Sequence, residues 1–447
     1  LSELRRLTAH ITDAERAEQI IARCREIALC TDVGGETTRT FLAPSMHRVH
    51  ALLSRWMRAA GMTVRVDAAG NLRGVLAATT ANAPRLLIGS HLDTIANAGA
   101  FDGVLGVVMG VTLVEAMVES LRDDSSTAQL PFEIEVVGFS EEEGVRFGKP
   151  FLGSLALVGE LDSEILSRTD RVGASVAHAI RQFGLDPTEL PAARLEDSSF
   201  GYLEFHIEQG PVLDSANVAL GVVDAIAGQT RMEFIFTGQA NHAGTTPMGP
   251  LRHDALAAAA NWIVEVERYA NECDGLVATV GKVDSSSSAG NVIAGRFVAT
   301  LDVRHARDGV RSVAVRHYIE RARSVGIVRG VSVDYTTSID QNAVPMCSDL
   351  SALVAVAATR GTGCDPLSIT SGAGHDAMIV ARRVPSAILF LRSPGGLSHH
   401  PDEAVLPTDV AAAFATGLEF LRGLRDDRAM LERVAARAPA KWRKIDA

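Results

Sequence analysis

Arg85–Gly110 reads RLLIGSHLDTIANAGAFDGVLGVVMG. Leu86-Leu87-Ile88 is a short apolar run of the kind that forms a buried strand. It ends in Gly-Ser-His-Leu-Asp, so His91 and Asp93 stand where a strand gives way to a loop. Asp102 follows, and opens at once onto an apolar, glycine-punctuated segment that reads as a helix from about Val104 to Leu121. Strand, polar loop and helix form the repeating unit of an α/β sheet, and strand ends are where such sheets present ligands. Standing alone, His-x-Asp reads as a hydrogen-bonded core pair. It becomes a metal site only if the rest of the chain brings further ligands. Gly103, Gly106 and Gly110 lack the order of a dinucleotide fingerprint, and their spacing reads as close helix packing.

Upstream of this stretch, helical spacing covers 13–30 and 45–60, the second ending at Gly61, and strands are expected at 63–67 and 72–77. Downstream, the strand 132–139 runs into Ser140-Glu141-Glu142-Glu143-Gly144, and the strand 201–206 ends in His-Ile-Glu-Gln-Gly. From about Val212 the texture changes. Strands at 222–226 and 231–236 precede a helix over 252–269. Strands at 277–283 and 297–303, a helix over 309–324 and a strand at 331–335 follow. That order predicts two helices on one antiparallel sheet. After Ile339 the α/β texture returns with a helix over 348–360, a strand at 387–391 and a helix over 409–424. The fold class is therefore α/β with an inserted α+β domain: a first part over 1–211, an insertion over 212–330 and a second part over 331–447.

Composition narrows the function. The 447 residues leave room for two or three domains. A net charge of −11 argues against a nucleic-acid surface, which needs clustered Lys and Arg. Five scattered cysteines without CxxC spacing suit a reducing, cytoplasmic setting better than a disulfide framework. No run of about 18 apolar residues is apparent, so no membrane span is expected. The opening LSELRRLTAHITDAERAEQI mixes both charges and lacks the apolar core of a secretory signal. A polar loop is expected at Asp123–Thr127, and a charged, peripheral tail from Arg425 onward.

Three further features join His91 and Asp102. Glu141-Glu142-Glu143 terminates an apolar strand, where a solvated acidic run is less expected. His206 stands at another strand end, and His399 lies in Gly-Gly-Leu-Ser-His-His-Pro-Asp-Glu, with His400 as its rival. His91, Asp102, one glutamate of the triplet, His206 and His399 would hold two divalent ions, and Asp102, with two oxygens, is the natural bridge. Imidazole and carboxylate ligands together suit zinc, manganese, cobalt or nickel. Asp93 could hold the His91 imidazole from behind. Two metals sharing a water lower its pKa, which points to hydrolysis, and a second glutamate beside the ligand would shuttle the proton.

With these residues in hand, the chain resembles the dinuclear-metal amidohydrolases that include N-carbamoyl-L-amino acid hydrolases, β-ureidopropionases and allantoate amidohydrolases. These are relatives of the aminoacylase and carboxypeptidase type of metallopeptidase. The resemblance rests on SHLDT, FDGVLG, FSEEEGVRFG, FLGS, HIEQGPVL, AIAGQTR, NHAGTTPM, GNVIAG, LDVR, SGAGHDAM and SHHPDEAV, which run in the family's order over about residues 40 to 410. It implies a metallopeptidase-like catalytic domain, with a mixed sheet and flanking helices, and an inserted lid domain through which homodimers form and which closes over the metals. Anchored on Gly144, it makes Glu143 the ligand beside His91, Asp102, His206 and His399, and Glu142 the general base. It assigns Gln209, His242, Asn291, Arg304 and His375 to the substrate. A guanidinium suits a bidentate grip on a carboxylate, and an imidazole N–H suits a developing oxyanion.

The implied reaction is cleavage of a ureido C–N bond in a small carboxylate-bearing molecule. The AIAGQTR, FSEEEGVRFG and SGAGHDAM segments resemble allantoate amidohydrolases more than carbamoylases. The expected substrate is thus allantoate, with ureidoglycine, ammonia and carbon dioxide as products and manganese as the favoured ion. The alternative is an N-carbamoyl-L-amino acid. A silent binding protein on this fold would have lost the base or a ligand, and all are present. A dipeptidase or aminoacylase would share the metal site but lack the VRFG and HIEQG segments.

Overall fold

In a computed structural model the described residues are 11–80, 83–123, 130–286 and 289–436. The first ten residues, the polar loop expected after Asp123 and the end of the charged tail lie outside them.

Two helices lead the chain. α1 (Asp13–Ala28) starts in a capping box in which Thr12 and Glu15 satisfy each other's backbone N–H groups. α2 (Pro44–Ala59) starts on a proline, whose missing N–H costs nothing there. β1 (Thr63–Val66), β2 (Leu72–Leu76), β3 (Arg85–His91), α3 (Val104–Asp123), β4 (Glu133–Phe139), β5 (Ser199–Ile207) and β6 (Leu220–Ile226) follow. The chain then builds β7 (Gly228–Thr237), α4 (Ala255–Glu272), β8 (Val277–Thr279), β9 (Val283–Ser285), β10 (Arg296–His305), α5 (Asp308–Arg329) and β11 (Ser332–Gln341). It returns through α6 (Ser348–Thr362), β12 (Ser386–Leu391) and α7 (Pro407–Asp426).

In the first unit the strands run in the order β1-β2-β4-β3-β5-β12-β6. β3 is parallel to β4 and β5, and β12 is parallel to β5, while β1, β2 and β6 pair antiparallel to their neighbours. This is the expected mixed sheet. Its central strands are buried along nearly their whole length, which is why they read as continuous apolar runs. Because β3, β4, β5 and β12 are parallel and in step, with His91 beside Phe139 and His206 beside Phe390, their C-terminal ends come out at one edge. Everything that follows depends on that edge.

α3 lies against β3, β4 and β5 at close range. A Cβ at Gly106 would stand 2.2 Å from the Phe205 carbonyl oxygen, so the glycine spacing does reflect helix packing. One expectation needs correcting: Val104–Arg122 is long and apolar enough to cross a membrane by length and composition. Most of it is buried inside this unit, and the burial on several sides explains why its sequence is apolar nearly all round.

The chain divides into two compact units. The second is Ala225–Pro345 with Thr370–Gly374, and the first comprises the flanking segments up to Asp224, Met346–Ile369 and from His375. The insertion was expected over 212–330. The boundaries shift because β6, read as the insertion's first strand, pairs with β12 through Leu220, Gly221 and Val222. At the other end, β11 extends to Gln341 and pairs with β7. Strand texture alone does not say which sheet a strand joins. Where the chain leaves and returns, Met346 donates its N–H to the Asp224 carbonyl at 2.9 Å in the first unit. In the second, Val344 and Pro345 pair with Ile226 and Ala225. The strand Leu367–Ser371 and the short helices between Leu152 and Ala193 were not read from sequence.

The second unit is an antiparallel sheet in the order β11-β7-β10-β8, with β9 beside β10. α4 and α5 pack on it around Phe234, Phe236, Trp262 and Tyr318. Residues of β7 and β10 alternate strictly, so Thr230, Met232, Leu301 and Val303 are buried while Gln229, Arg231, Asp302 and Arg304 occupy the other face.

His50 on α2 is buried edge-on to Phe183, with no hydrogen-bond partner for its Nε2 among the described residues. Burial, and secondarily His47, push its pKa down to about 4. A depressed imidazole pKa means that the unfolded chain binds the proton first as pH falls through the ordinary histidine range. The folded state therefore loses stability between roughly pH 6.5 and 4. Denaturant unfolding should show His50 contributing a loss of about 2 kcal/mol between pH 7 and 5. In His50→Leu the pH slope should be shallower by that amount; equal slopes in the two proteins would refute the assignment.

Candidate metal centre and active site

Asp102 occupies the middle of the centre. It sits after β3 in a short turn that leads into α3, and it is 3% exposed. Its Oδ1 lies 3.2 Å from His206 Nε2 and 3.7 Å from His91 Nε2, and its Oδ2 lies 3.4 Å from His399 Nε2. His399 Nε2 is also 3.4 Å from Glu143 Oε1. Each carboxylate oxygen thus faces its own group of ligands. Three overlapping sets have their ligand atoms within 4.8 Å of one another: His91, Asp102 and His206; Asp102, Glu143 and His399; and His91, Glu142 and Glu143. The five expected ligands come together with Asp102 shared. His400, the rival, points to Asp402 instead.

The donor set fits two divalent cations on electrostatic grounds as well. Burial raises the Glu142 carboxyl well above its usual range, and burial raises Glu143 also. Hydrogen bonding to Asp102, then to Glu143, lifts the His399 imidazole to about 10. His206, penalised by burial, falls to about 4. Carboxylates crowded in a dry site, with the His91 and His399 imidazoles both raised by the carboxylates beside them and His206 kept neutral, make a place that draws positive charge. His91, His206, Asp102, Glu143 and His399 are the residues that would hold the ions.

The supports differ in detail from the expectation. The imidazole of His91 is held at Nδ1 by the backbone carbonyl of Asp93 at 3.0 Å, while the Asp93 carboxylate stands farther off at 3.6 Å. That carboxylate has another task. It accepts the N–H of Glu142 at 2.9 Å and of Glu143 at 3.1 Å, fixing the backbone that carries both glutamates. Asp93 therefore holds the imidazole mainly through its backbone carbonyl and organises the acidic turn with its carboxylate. Gly103 has φ +68°, and a Cβ there would meet the His91 ring at 2.4 Å. Only a glycine gives that ring its place.

Gln209 and His399 both sit in the left-handed region, at φ 60° and 55°. Such strain in non-glycine residues gathers at functional sites. The turn at Gln209 brings its side-chain amide 3.2 Å from both Asp102 oxygens. His375 was expected at the substrate; it is 1% exposed, with its ring edge-on to His206 at 4.6 Å and packed on Phe390. Its position braces a ligand. Glu403 was missed. Its Oε1 accepts the N–H of Phe101 at 2.9 Å and of Asp102 at 3.0 Å, and its Oε2 accepts the Ser398 hydroxyl at 3.3 Å. It ties the Asp102 turn to the His399 loop, and burial, then Asp102, raise it to about 7. An acid four residues after His399 in the same run was the available signal.

The remaining expected residues belong to the second unit. The backbone bridges His242 to Val292, and Ala243 donates its N–H to the Asn291 carbonyl at 2.8 Å, so the NHAGTTP and GNVIAG segments are neighbours. His242 Nδ1 accepts the Gly244 N–H at 3.1 Å, which leaves Nε2 as the N–H donor of the neutral ring. Arg304 stands on β10, bound to Asp302.

Residues 87–423 match peptidase family M20/M25/M40. The chain belongs to that family. Among curated relatives it is 37% identical to allantoate deiminase 2 of Glycine max, over 91% of this chain and 89% of that one. It is 39% identical to N-carbamoyl-L-amino acid amidohydrolase of Geobacillus stearothermophilus, over 85% and 90%. A solved hydantoinase/carbamoylase family amidase from Burkholderia ambifaria matches with a TM-score of 0.84 at 33% identity, covering 92% of this chain and 98% of the other. The mixed sheet of an M20-type α/β enzyme and the five residues that could hold metal ions thus belong to one compact unit.

Asp93→Ala removes the acceptor of two backbone N–H groups at the acidic turn. Divalent-metal titration calorimetry should show affinity lowered by about 10- to 100-fold, as for other losses behind a ligand. Unaltered affinity would show that the turn holds its shape without Asp93.

Proposed function

We propose that this chain hydrolyses a ureido carbon–nitrogen bond in a small carboxylate-bearing molecule, and that the molecule is allantoate, converted to ureidoglycine, ammonia and carbon dioxide. The observation that carries the reading is the Asp102 carboxylate. Its Oδ1 faces His206 and His91 and its Oδ2 faces His399, and the buried Glu142 lies within 4.8 Å of ligand atoms of His91 and Glu143. Similarity to an allantoate deiminase over nearly the whole chain supports the choice of substrate. An N-carbamoyl-L-amino acid is the second reading, supported by the likeness to the Geobacillus amidohydrolase.

Two divalent ions, manganese in preference to zinc, cobalt or nickel, would acidify a water and polarise the ureido carbonyl. The protein's own part falls to a few side chains. Glu142, its carboxyl pushed well up by burial, takes the proton of the attacking water and keeps it long enough to hand it to the departing nitrogen. Gln209 steadies the Asp102 carboxylate from the side. His242, with Nε2 as its donor, offers an N–H to the developing oxyanion, and Arg304 takes the carboxylate. We also propose a cytoplasmic homodimer built through the second unit. The exposed Met248, Leu251, Ile327 and Val328 support that role for the unit, because exposed apolar side chains of this size commonly mark interfaces.

Manganese-reconstituted protein should release ammonia from allantoate faster than from a panel of N-carbamoyl-L-amino acids. Turnover of the panel with none on allantoate would shift the assignment to the second reading. Glu142→Gln should lower kcat by at least about a hundredfold with metal content unchanged. Full activity in that variant would remove Glu142 from the role of base.

A further inference from the structure

Glu141-Glu142-Glu143 sets a problem of register. Three identical side chains in a row trade places if the turn slips by one residue, and base and ligand would move with them. Asp93 holds the N–H groups of Glu142 and Glu143, but backbone N–H groups are alike at every residue, so that grip does not choose among the three. The choice falls to residues after the triplet that are not interchangeable. Gly144, at φ +73°, is one, because a Cβ there would stand 2.7 Å from the Pro150 nitrogen. Arg146 is the other.

The Arg-Phe pair of the VRFG segment takes hold of a single residue. Arg146 donates from Nη1 to the Phe41 carbonyl at 2.8 Å, and the Phe147 ring meets the Phe41 ring edge-on with centroids 5.8 Å apart. The guanidinium also lies 5.2 Å from the centre of the Phe147 ring, and its Nε reaches the Asp170 carboxylate at 3.1 Å. Two residues before Phe41, the Arg39 carbonyl accepts the Thr94 N–H at 2.7 Å, and the buried Arg39 guanidinium donates to the Leu92 carbonyl at 3.2 Å. Leu92 and Thr94 flank Asp93. The acidic turn is thus closed into a ring of contacts: Asp93 holds its start, Arg146 its end, and residues 39–41 join the two holders. Inside that ring Glu141 is fully buried, its Oε1 3.4 Å from the Arg146 nitrogen.

We infer that Arg146, acting through Phe41, is a positioning residue that fixes which glutamate faces the ions and which faces the attacking water, two roles that rest on the function proposed above. A slip of one residue moves the chain by about 3.5 Å. That distance breaks the bond to the Phe41 carbonyl and separates the two rings, so the register with Glu141 turned inward, Glu142 as base and Glu143 as ligand is the one that keeps both. The glutamates cannot tell the registers apart; the arginine and the phenylalanine can. Asp170 alone would not serve, because an ion pair between flexible side chains tolerates a shift that a bond to a fixed carbonyl does not.

The test uses the full chain at a temperature where circular dichroism shows the variants folded. Calorimetry measures manganese binding to metal-free protein, and steady-state kinetics follow ammonia release from allantoate by manganese-loaded protein. Arg146→Met should weaken manganese binding by about 10- to 100-fold, the scale of a lost support behind a ligand. Its kcat should fall at least about tenfold, because base and water are misaligned, while KM stays within about twofold. Arg146→Lys, which can reach one acceptor, should recover part of both losses, and it carries the comparison if Arg146→Met does not fold. Asp170→Asn should bind manganese within about threefold of the wild type, since the Phe41 contact remains. Wild-type manganese affinity and kcat in both Arg146 variants overturn the role. So does Asp170→Asn that loses as much as Arg146→Met, which would reduce the arginine to an ion-pair partner, or a rise in KM alone, which would place it on the substrate. Manganese binding that falls in Arg146→Met and partly returns in Arg146→Lys, without ammonia release by the wild type, would support the positioning role and refute the proposed hydrolysis.

Discussion

One carboxylate sets the design of the first unit. Asp102 must present its two oxygens to different partners, His206 and His91 on one side and His399 on the other. A carboxylate on a mobile loop would rotate and merge the two sides. Here its backbone N–H is bound by Glu403, its side chain is flanked by the Gln209 amide, and the residue after it is a glycine against which the His91 ring packs. The parallel strands then bring the other ligands to it. His91 ends β3, His206 lies near the end of β5, and Glu143 follows β4 across a three-residue turn braced by Asp93.

That arrangement carries an electrostatic burden. Glu142, Glu143, Glu204, Asp376 and Glu403 are all raised, with burial the first cause in each. Acids packed this closely in a dry interior repel one another and resist ionisation, and cations relieve both penalties. The same repulsion helps chemistry, since a base must hold a proton between two steps. Stability and function are coupled through the charge of the site.

The sequence was legible where a local pattern decides the outcome. His91, Glu143 and His206 could be found because each closes or follows an apolar strand, and parallel strands bring such ends to one edge. Asp102 was found because it precedes a helix. Partnerships that depend on tertiary return were not legible. The run that holds His399 marks Glu403 as close to the site but not as the acceptor of backbone groups at Phe101 and Asp102, and Asp93 gave no sign that its carboxylate serves the acidic turn while its carbonyl serves the imidazole. His375 was assigned to the substrate by the resemblance, yet its ring is buried edge-on against His206. The domain boundary moved for a related reason. A strand's residues record how far it is buried, whereas its sheet is chosen by partners far along the chain, Leu389 for Val222 among them.

The way the chain leaves the first unit and returns to it has a bearing on folding order. Asp224 and Met346 are joined by a backbone hydrogen bond, and just beyond them Ile226 pairs with Val344. To the first unit, the whole second unit is one very long loop, and closing such a loop from an unfolded chain costs entropy that grows with its length. A second unit that folds first draws its own two ends together and reduces that loop to a single short step. β12 and β6 can then find each other as near neighbours in an otherwise distant stretch of sequence. The inserted unit, with its own core around Trp262 and Tyr318, is in this sense the clasp that makes a discontinuous sheet kinetically accessible.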